Sequence, residues 1–166
     1  MKPASTVGDV RFRTVAGGPV AYGFWQENRV QIADLITRSL VTVGPEAWIS
    51  EAARQMAEAN VGSVVVMDGE EPIGIVTDRD LTLLQQNGVE DRRIEEVMTT
   101  SPLAVRAGTD IEQCIGRMSE HRVRRTIVID EDGKPLGVVS LDDIVIHLSN
   151  TLDKVASLMR AQIVGA

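Results

Sequence analysis

The chain carries little from which covalent or metal chemistry could be built. Its 166 residues hold one cysteine, two histidines, one tyrosine and two each of tryptophan and phenylalanine. One cysteine makes no intrachain disulfide. Cys114 stands with Ile111, Ile115 and Met118 at i, i+3, i+4, i+7 spacing, which marks a core position on a helix rather than a nucleophile or ligand. With only His121 and His147 beside it, no zinc or iron–sulfur ligand set is recognisable. No apolar stretch approaches the roughly 18 residues of a membrane span, so no membrane role is expected. Met1 to Gly8 lacks a basic region followed by an apolar run, and a cytoplasmic location is the expectation. Positive charge is also scarce. Seventeen Lys and Arg against 24 Asp and Glu give a formal charge of −7, which disfavours nucleic acid as a partner.

What is present is a core and a repeat. Hydrophobic residues make up 43% of the chain, enough for a folded unit and contrary to overall disorder. Setting Val43 over Val105, an offset of 62 residues, aligns Ile49 with Ile111, Met56 with Met118, Val61 with Val123, Val66 with Val128 and Asp68 with Asp130. One extra residue in the second copy shifts the register. Pro72 then meets Pro135, Gly74 meets Gly137, Val76 meets Val139 and Asp80 meets Asp143.

Each copy reads as a short strand, a helix, a hairpin and a helix. Leu40 to Val43 and Leu103 to Val105 predict the first strands, and apolar stripes predict helices over about 48–59 and 110–121. The β-branched runs Val64 to Met67 and Thr126 to Ile129 are each followed by an acidic turn and a second strand, Ile73 to Val76 and Leu136 to Val139. Being apolar almost throughout, these strands are expected to be covered on both faces. Helices over about 78–86 and 141–149 close the copies. The expected fold class is α+β, with two β-α-β-β-α repeats paired about a pseudo-twofold axis.

The stretches Gly74-Ile75-Val76-Thr77-Asp78-Arg79-Asp80-Leu81 and Gly137-Val138-Val139-Ser140-Leu141-Asp142-Asp143-Ile144 resemble the end of a CBS (cystathionine β-synthase) domain. Met118 to Asp130 resembles the helix-to-strand passage of the same family. The resemblance spans about residues 34 to 149 and implies a tandem pair, or Bateman module. Repeat 1 is assigned to 34–90 and repeat 2 to 91–150, flanked by an N-terminal extension of uncertain structure (1–33) and a C-terminal helix (151–166).

The resemblance implies a cleft between the repeats for an adenine nucleotide, AMP, ADP or ATP, with NAD and S-adenosylmethionine as further adenosyl candidates and no cofactor required. In the family the Ser or Thr hydroxyl approaches phosphate and the Asp chelates the ribose hydroxyls. Those roles fall to Thr77 with Asp80 and to Ser140 with Asp143. Many second repeats of the family carry a proline where Ile127 stands here, which leaves the details of the base pocket open.

Physical chemistry reaches a similar place. Thr77 and Ser140 fall at the expected N-caps of helices, where unpaired amides and the helix dipole favour an anion. A carboxylate three residues on accepts from a pair of vicinal hydroxyls. Val43 and Val105, beside it on the first strands, are candidates to sandwich a base. The competing reading is a plain capping box, worth about 0.5–2 kcal/mol to a helix and needing no ligand.

Arg117, His121, Arg122, Arg124 and Arg125 are the strongest local reversal of charge. They can serve phosphate, or complement the C-terminal dipole of a helix. Arg124 and Arg125 enter the strand and are assigned to the cleft. Their counterparts Gly62 and Ser63 are uncharged, so two sites would differ in phosphate affinity. Arg79 is a further phosphate candidate, balanced by its reading as a solvated helix residue.

Residues 1–33 predict a short strand near Val10 to Thr14 and turns over Val15 to Phe24, with Phe24 and Trp25 packing on the module. No Gly-Lys-Thr or Gly-Lys-Ser follows the glycines, so they form no phosphate loop. Leu152, Val155, Ala156, Met159 and Ile163 make a helical stripe that covers the module or pairs with another subunit. The expected function is a regulatory sensor, homodimeric through its CBS modules, that signals in trans to an unidentified protein. The alternatives are a ligand-free dimerisation scaffold and, least supported, an enzyme, since no nucleophile, base and orienting acid stand together.

Overall fold

The computed structural model describes the backbone of residues 6–7, 10–15, 18–22, 29–86 and 91–164. The chain divides into two compact units, 1–30 and 31–166. In the first, β1 (Thr6–Val7), β2 (Val10–Val15) and β3 (Gly18–Tyr22) form an antiparallel sheet with β2 central. The strand expected near Val10 is β2. The stretch Val15 to Phe24, expected to be turns, instead contains β3, and its Pro19 is tolerated because β3 is an edge strand. Phe24 and Trp25 lie outside the described residues.

The second unit contains both repeats. The first is β4 (Thr42–Val43), α1 (Ile49–Ala59), β5 (Ser63–Asp68), β6 (Glu71–Thr77) and α2 (Asp78–Gln86). After it come β7 (Thr99–Thr100), then β8 (Ala104–Arg106), α3 (Ile111–His121), β9 (Arg125–Ile129), β10 (Pro135–Ser140) and α4 (Leu141–Val164). Both repeats are thus β-α-β-β-α, in an α+β fold. Their registers match at the 62-residue offset: β4 runs parallel to β5 with Val43 opposite Val66, and β8 parallel to β9 with Val105 opposite Val128. Antiparallel hairpins join β5 to β6 and β9 to β10, turning through Gly69 (φ +59°) and Gly133 (φ +86°). Glycine is the residue that adopts these angles without steric cost.

The helices form where apolar stripes meet the sheets. Ala52 and Met56 of α1 pack with Val43, Val64, Val66 and Val76, while Cys114 and Met118 of α3 pack with Val105, Val128, Val139 and Ile144. Burial pushes the Cys114 thiol above its ordinary pKa, as a core position requires. Asp110 caps α3 by accepting from the Gln113 amide at 2.8 Å. Both α1 and α3 end on a left-handed residue, Asn60 and Arg122.

Each core is completed by the other repeat's leader. Ile32 and Leu35, in a 3-10 turn (Ile32–Leu35) ahead of β4, are buried in the core of repeat 2. Ile94, in the 3-10 turn Ile94–Glu96 ahead of β7, is buried in the core of repeat 1. The exchange is reciprocal in its main bonds. The Ile32 amide donates to the Thr109 carbonyl at 2.8 Å and the Ile94 amide to that of Ala47 at 2.9 Å; isolated bridges join Gln31 to Asp110 and Arg93 to Trp48. Beyond each turn, the Ile36 side chain covers Gly137 and that of Met98 covers Gly74, where a Cβ would collide with it. These equivalences express the pseudo-twofold relation. Burying each isoleucine supplies about 1.5–3 kcal/mol.

Two features depart from expectation. β7 adds a fourth strand to the first sheet, where Thr99 and Thr100 pair with Ile75 and Gly74 of β6. The last helix does not stop near 149: α4 continues to Val164, through a segment with neither glycine nor proline to break it.

Candidate functional site

A cleft of about 390 Å³ opens between the repeats. Its walls are the segment 37–41 ahead of β4, the turn 60–63 between α1 and β5, and the junction of β10 with α4. The three-stranded second sheet ends at β10, and 37–38 does not pair with that edge as β7 pairs with β6. Space is therefore left beside Val138 and Ser140.

The floor is the second Ser/Thr-x-x-Asp motif. Ser140 donates from its amide (2.8 Å) and its hydroxyl (2.5 Å) to Oδ2 of Asp143, and the Asp143 amide donates back to the Ser140 hydroxyl at 3.3 Å. The first motif has the same geometry: the Thr77 amide and hydroxyl donate to Asp80 Oδ2 at 2.9 and 2.7 Å. Both are complete capping boxes, which explains why α2 and α4 begin where they do. Oδ1 of either aspartate makes no hydrogen bond among the described residues, so each keeps acceptor capacity beyond the cap.

Charge in the cleft is mixed. Arg38 donates from Nη1 to the Asn60 carbonyl at 2.7 Å. Arg125, its side chain 25% exposed, reaches across the repeat boundary to Asp78 Oδ1 at 3.3 Å. Gly62 makes room for this, because a Cβ there would stand 2.7 Å from Arg125 Nη2. Asp142 and Asp143 add two further carboxylates, and Leu40, Val41, Val61 and Ile146 give the walls apolar surface.

The residues singled out from sequence thus separate. Ser140, Asp143 and Arg125 line the cleft. Thr77, Asp80 and Arg79 lie at the start of α2 and are not among its lining residues, and Arg124 is turned to Asp142 in an exposed pair at 3.3 Å. Val43 and Val105 are buried in the two cores; Val41, just ahead of β4, packs against the core of repeat 1 and also lines the cleft. Sequence reasoning missed Arg38 and the turn 60–63. Arg38 had a signal: it stands where the other repeat has Thr100, an uncompensated change of charge at a repeat position.

A second concavity, about 480 Å³, lies between the hairpin turns around Glu70 and Gly133. Its one cation, Lys134, is paired with Glu70 at 3.0 Å, and its acidic lining offers nothing to an anion. Among the described residues no group of His, Cys, Asp and Glu could hold a metal ion, and no helix is long and apolar enough to cross a membrane.

Two repeats that exchange core residues, with a polar cleft at their boundary, define a paired-repeat module. Comparison with known proteins gives the family: the CBS domain model matches residues 32–86 and 94–150, and the chain belongs to the CBS domain family as a tandem pair. The chain is 35% identical to the uncharacterized protein YlbB of Bacillus subtilis over 118 residues, covering 69% of this chain and 79% of that one. Against the CBS domain-containing protein YhcV of the same organism it is 30% identical over 118 residues, covering 70% and 84%. Among solved structures, CBSX2 of Arabidopsis thaliana in complex with AMP is 27% identical, with a TM-score of 0.62, covering 73% of this chain and 97% of that one.

Proposed function

We propose that this chain is a regulatory module that binds an adenine nucleotide in the cleft over Ser140 and Asp143 and signals in trans, from the cytoplasm and as a homodimer, to a protein partner. The observation that carries the reading is the convergence, on one cleft, of a capped aspartate with a free Oδ1, two guanidinium groups and apolar walls. The AMP complex of CBSX2, a relative of matching fold, supports the ligand class. Asp143 Oδ1 takes the vicinal ribose hydroxyls, and Arg38 and Arg125 take the phosphate. Thr77, Asp80, Arg79 and Arg124 belong to a weaker counterpart site.

The balance of charge selects among nucleotides. Two guanidiniums face three carboxylates, those of Asp78, Asp142 and Asp143. A monophosphate meets both arginines, whereas a triphosphate brings added negative charge against the carboxylates. AMP is therefore the preferred ligand over ATP. The proposed module binds without turnover: the Ser140 hydroxyl and the Asp143 carboxylate are engaged with each other in the cap of α4, and no histidine stands among the lining residues to act as a base.

A thermal-shift titration with AMP, ADP, ATP, NAD and S-adenosylmethionine tests this. A ligand confined to the folded state adds about 2.7 kcal/mol at a hundredfold excess over Kd. A saturable rise with AMP at lower concentration than with ATP is the expected result. No rise with any of the five would leave the second reading, a structural scaffold, which is favoured by one observation: both Ser/Thr-x-x-Asp motifs are complete helix caps without any ligand.

A further inference from the structure

The CBS match ends at residue 150, yet α4 runs on to Val164. Along it Val145, Leu148, Leu152, Val155 and Met159 recur at alternating steps of three and four, the a and d positions of a heptad pattern, and Ile163 falls on the same stripe. None of them is covered: Leu152 is 68% exposed, Met159 59% and Ile163 76%. A helix no longer than the stretch beyond residue 150 is marginal in water by itself, and an uncovered apolar stripe adds to the cost of leaving it single.

We propose that this stripe, from Val145 to Ile163, is a homodimer seam that pairs with the same stripe on a second copy of the chain. Three observations select a second copy as the occupant. The 3.5-residue spacing is the pattern in which two like helices interlock side chain into gap. The charged residues of the extension, Asp153, Lys154 and Arg160, all fall off the a and d positions, so self-pairing brings no like charges together. The stripe and the flanking Leu158 offer on the order of 650 Å² per protomer, about 1,300 Å² in a pair, within the range of a specific interface. The inference takes the homodimer from the functional reading and assigns its surface; it does not depend on the nucleotide.

The test, made without any ligand, is the mass of the full chain in solution by light scattering across micromolar concentrations, for the wild type, Leu152→Asp with Val155→Asp, and Leu152→Met. The expected result is twice the chain mass for the wild type and Leu152→Met, with the dissociation constant of the charged variant raised about 100-fold or more. Because both substituted positions are exposed, circular dichroism and the thermal transition of the charged variant are expected to stay close to wild type. Were that variant to lose its fold, Leu152→Asn alone gives the same readout. A dimer that persists unchanged in the charged variant overturns the seam while leaving the homodimer standing. A wild-type chain of single mass throughout overturns both, and turns the stripe over to a different partner.

Discussion

The first repeat closes the open edge of β6 with β7, whose Thr99 and Thr100 pair with Ile75 and Gly74; the second leaves the equivalent edge of β10 without a strand, and the cleft lies there. The cores beneath are near copies, Val43, Met56 and Val66 in one and Val105, Met118 and Val128 in the other. Duplicated packing thus leaves the fold symmetric, while a short stretch of backbone pairing decides which of two equivalent Ser/Thr-x-x-Asp motifs faces a ligand-sized space.

The sharpest way to break this comparison is at the exchanged turns. Ile32→Ala and Ile94→Ala each leave a cavity in the opposite repeat's core, at a cost of about 2–5 kcal/mol. Denaturant unfolding of either variant is expected to show a single transition; two separable transitions would mean that the repeats are independent. The next effect is on binding. Asp143→Asn weakens AMP by about 1.5–3 kcal/mol, the worth of a hydrogen bond to a charged group, and Asp80→Asn by less, as read by calorimetric titration. Equal losses would place the two motifs on a par.

A smaller contrast concerns the two glycines beneath the exchanged segments. An added Cβ at Gly137 meets Ile36 Cγ2 at 2.7 Å, and one at Gly74 meets the sulfur of Met98. Ile36 is stiff at its β-carbon, whereas the Met98 thioether retreats easily. Gly137→Ala is expected to cost about 1–3 kcal/mol and Gly74→Ala less, by chemical denaturation.

The smallest effect is a pH dependence that one repeat has and the other lacks. The hydroxyl and amide of Ser50 donate to the Asp91 carboxylate at 2.5 and 3.0 Å and hold its pKa below the ordinary value. A depressed folded-state pKa contributes stability above the unfolded-state value, lost as pH falls through the folded one. Ser50's counterpart is Glu112, whose ionised side chain cannot donate. Asp91→Asn is therefore expected to lower the neutral-pH denaturation midpoint slightly and to match wild type once the carboxyl is protonated.

The repeat, both hairpins and all four helices were legible because periodicity and punctuation are local. Ile32 and Ile94 fit the same 62-residue offset, but a 3-10 turn is too short to carry a period, and which core takes each isoleucine is a long-range fact. The length of α4 was hidden by dividing one unbroken helix at the edge of the repeat. At the site, the motif with Ser140 and Asp143 could be read from the chain, while its place in a cleft that Thr77 and Asp80 do not line could not, because β7 closes the other edge. Nearness in sequence points Val43 and Val105 to the cleft, but which neighbours cover a short strand is a long-range fact, and both side chains are buried in the cores.

The exchanged turns also bear on where this chain can be cut. A break between Gln86 and Asp91 leaves each fragment holding the plug for the other's core: the first keeps Ile32, the second Ile94. Neither fragment keeps the plug of its own core, so the severed halves are expected to recover the fold only when mixed. By the same logic a single repeat with its leader would find its missing plug in a twin.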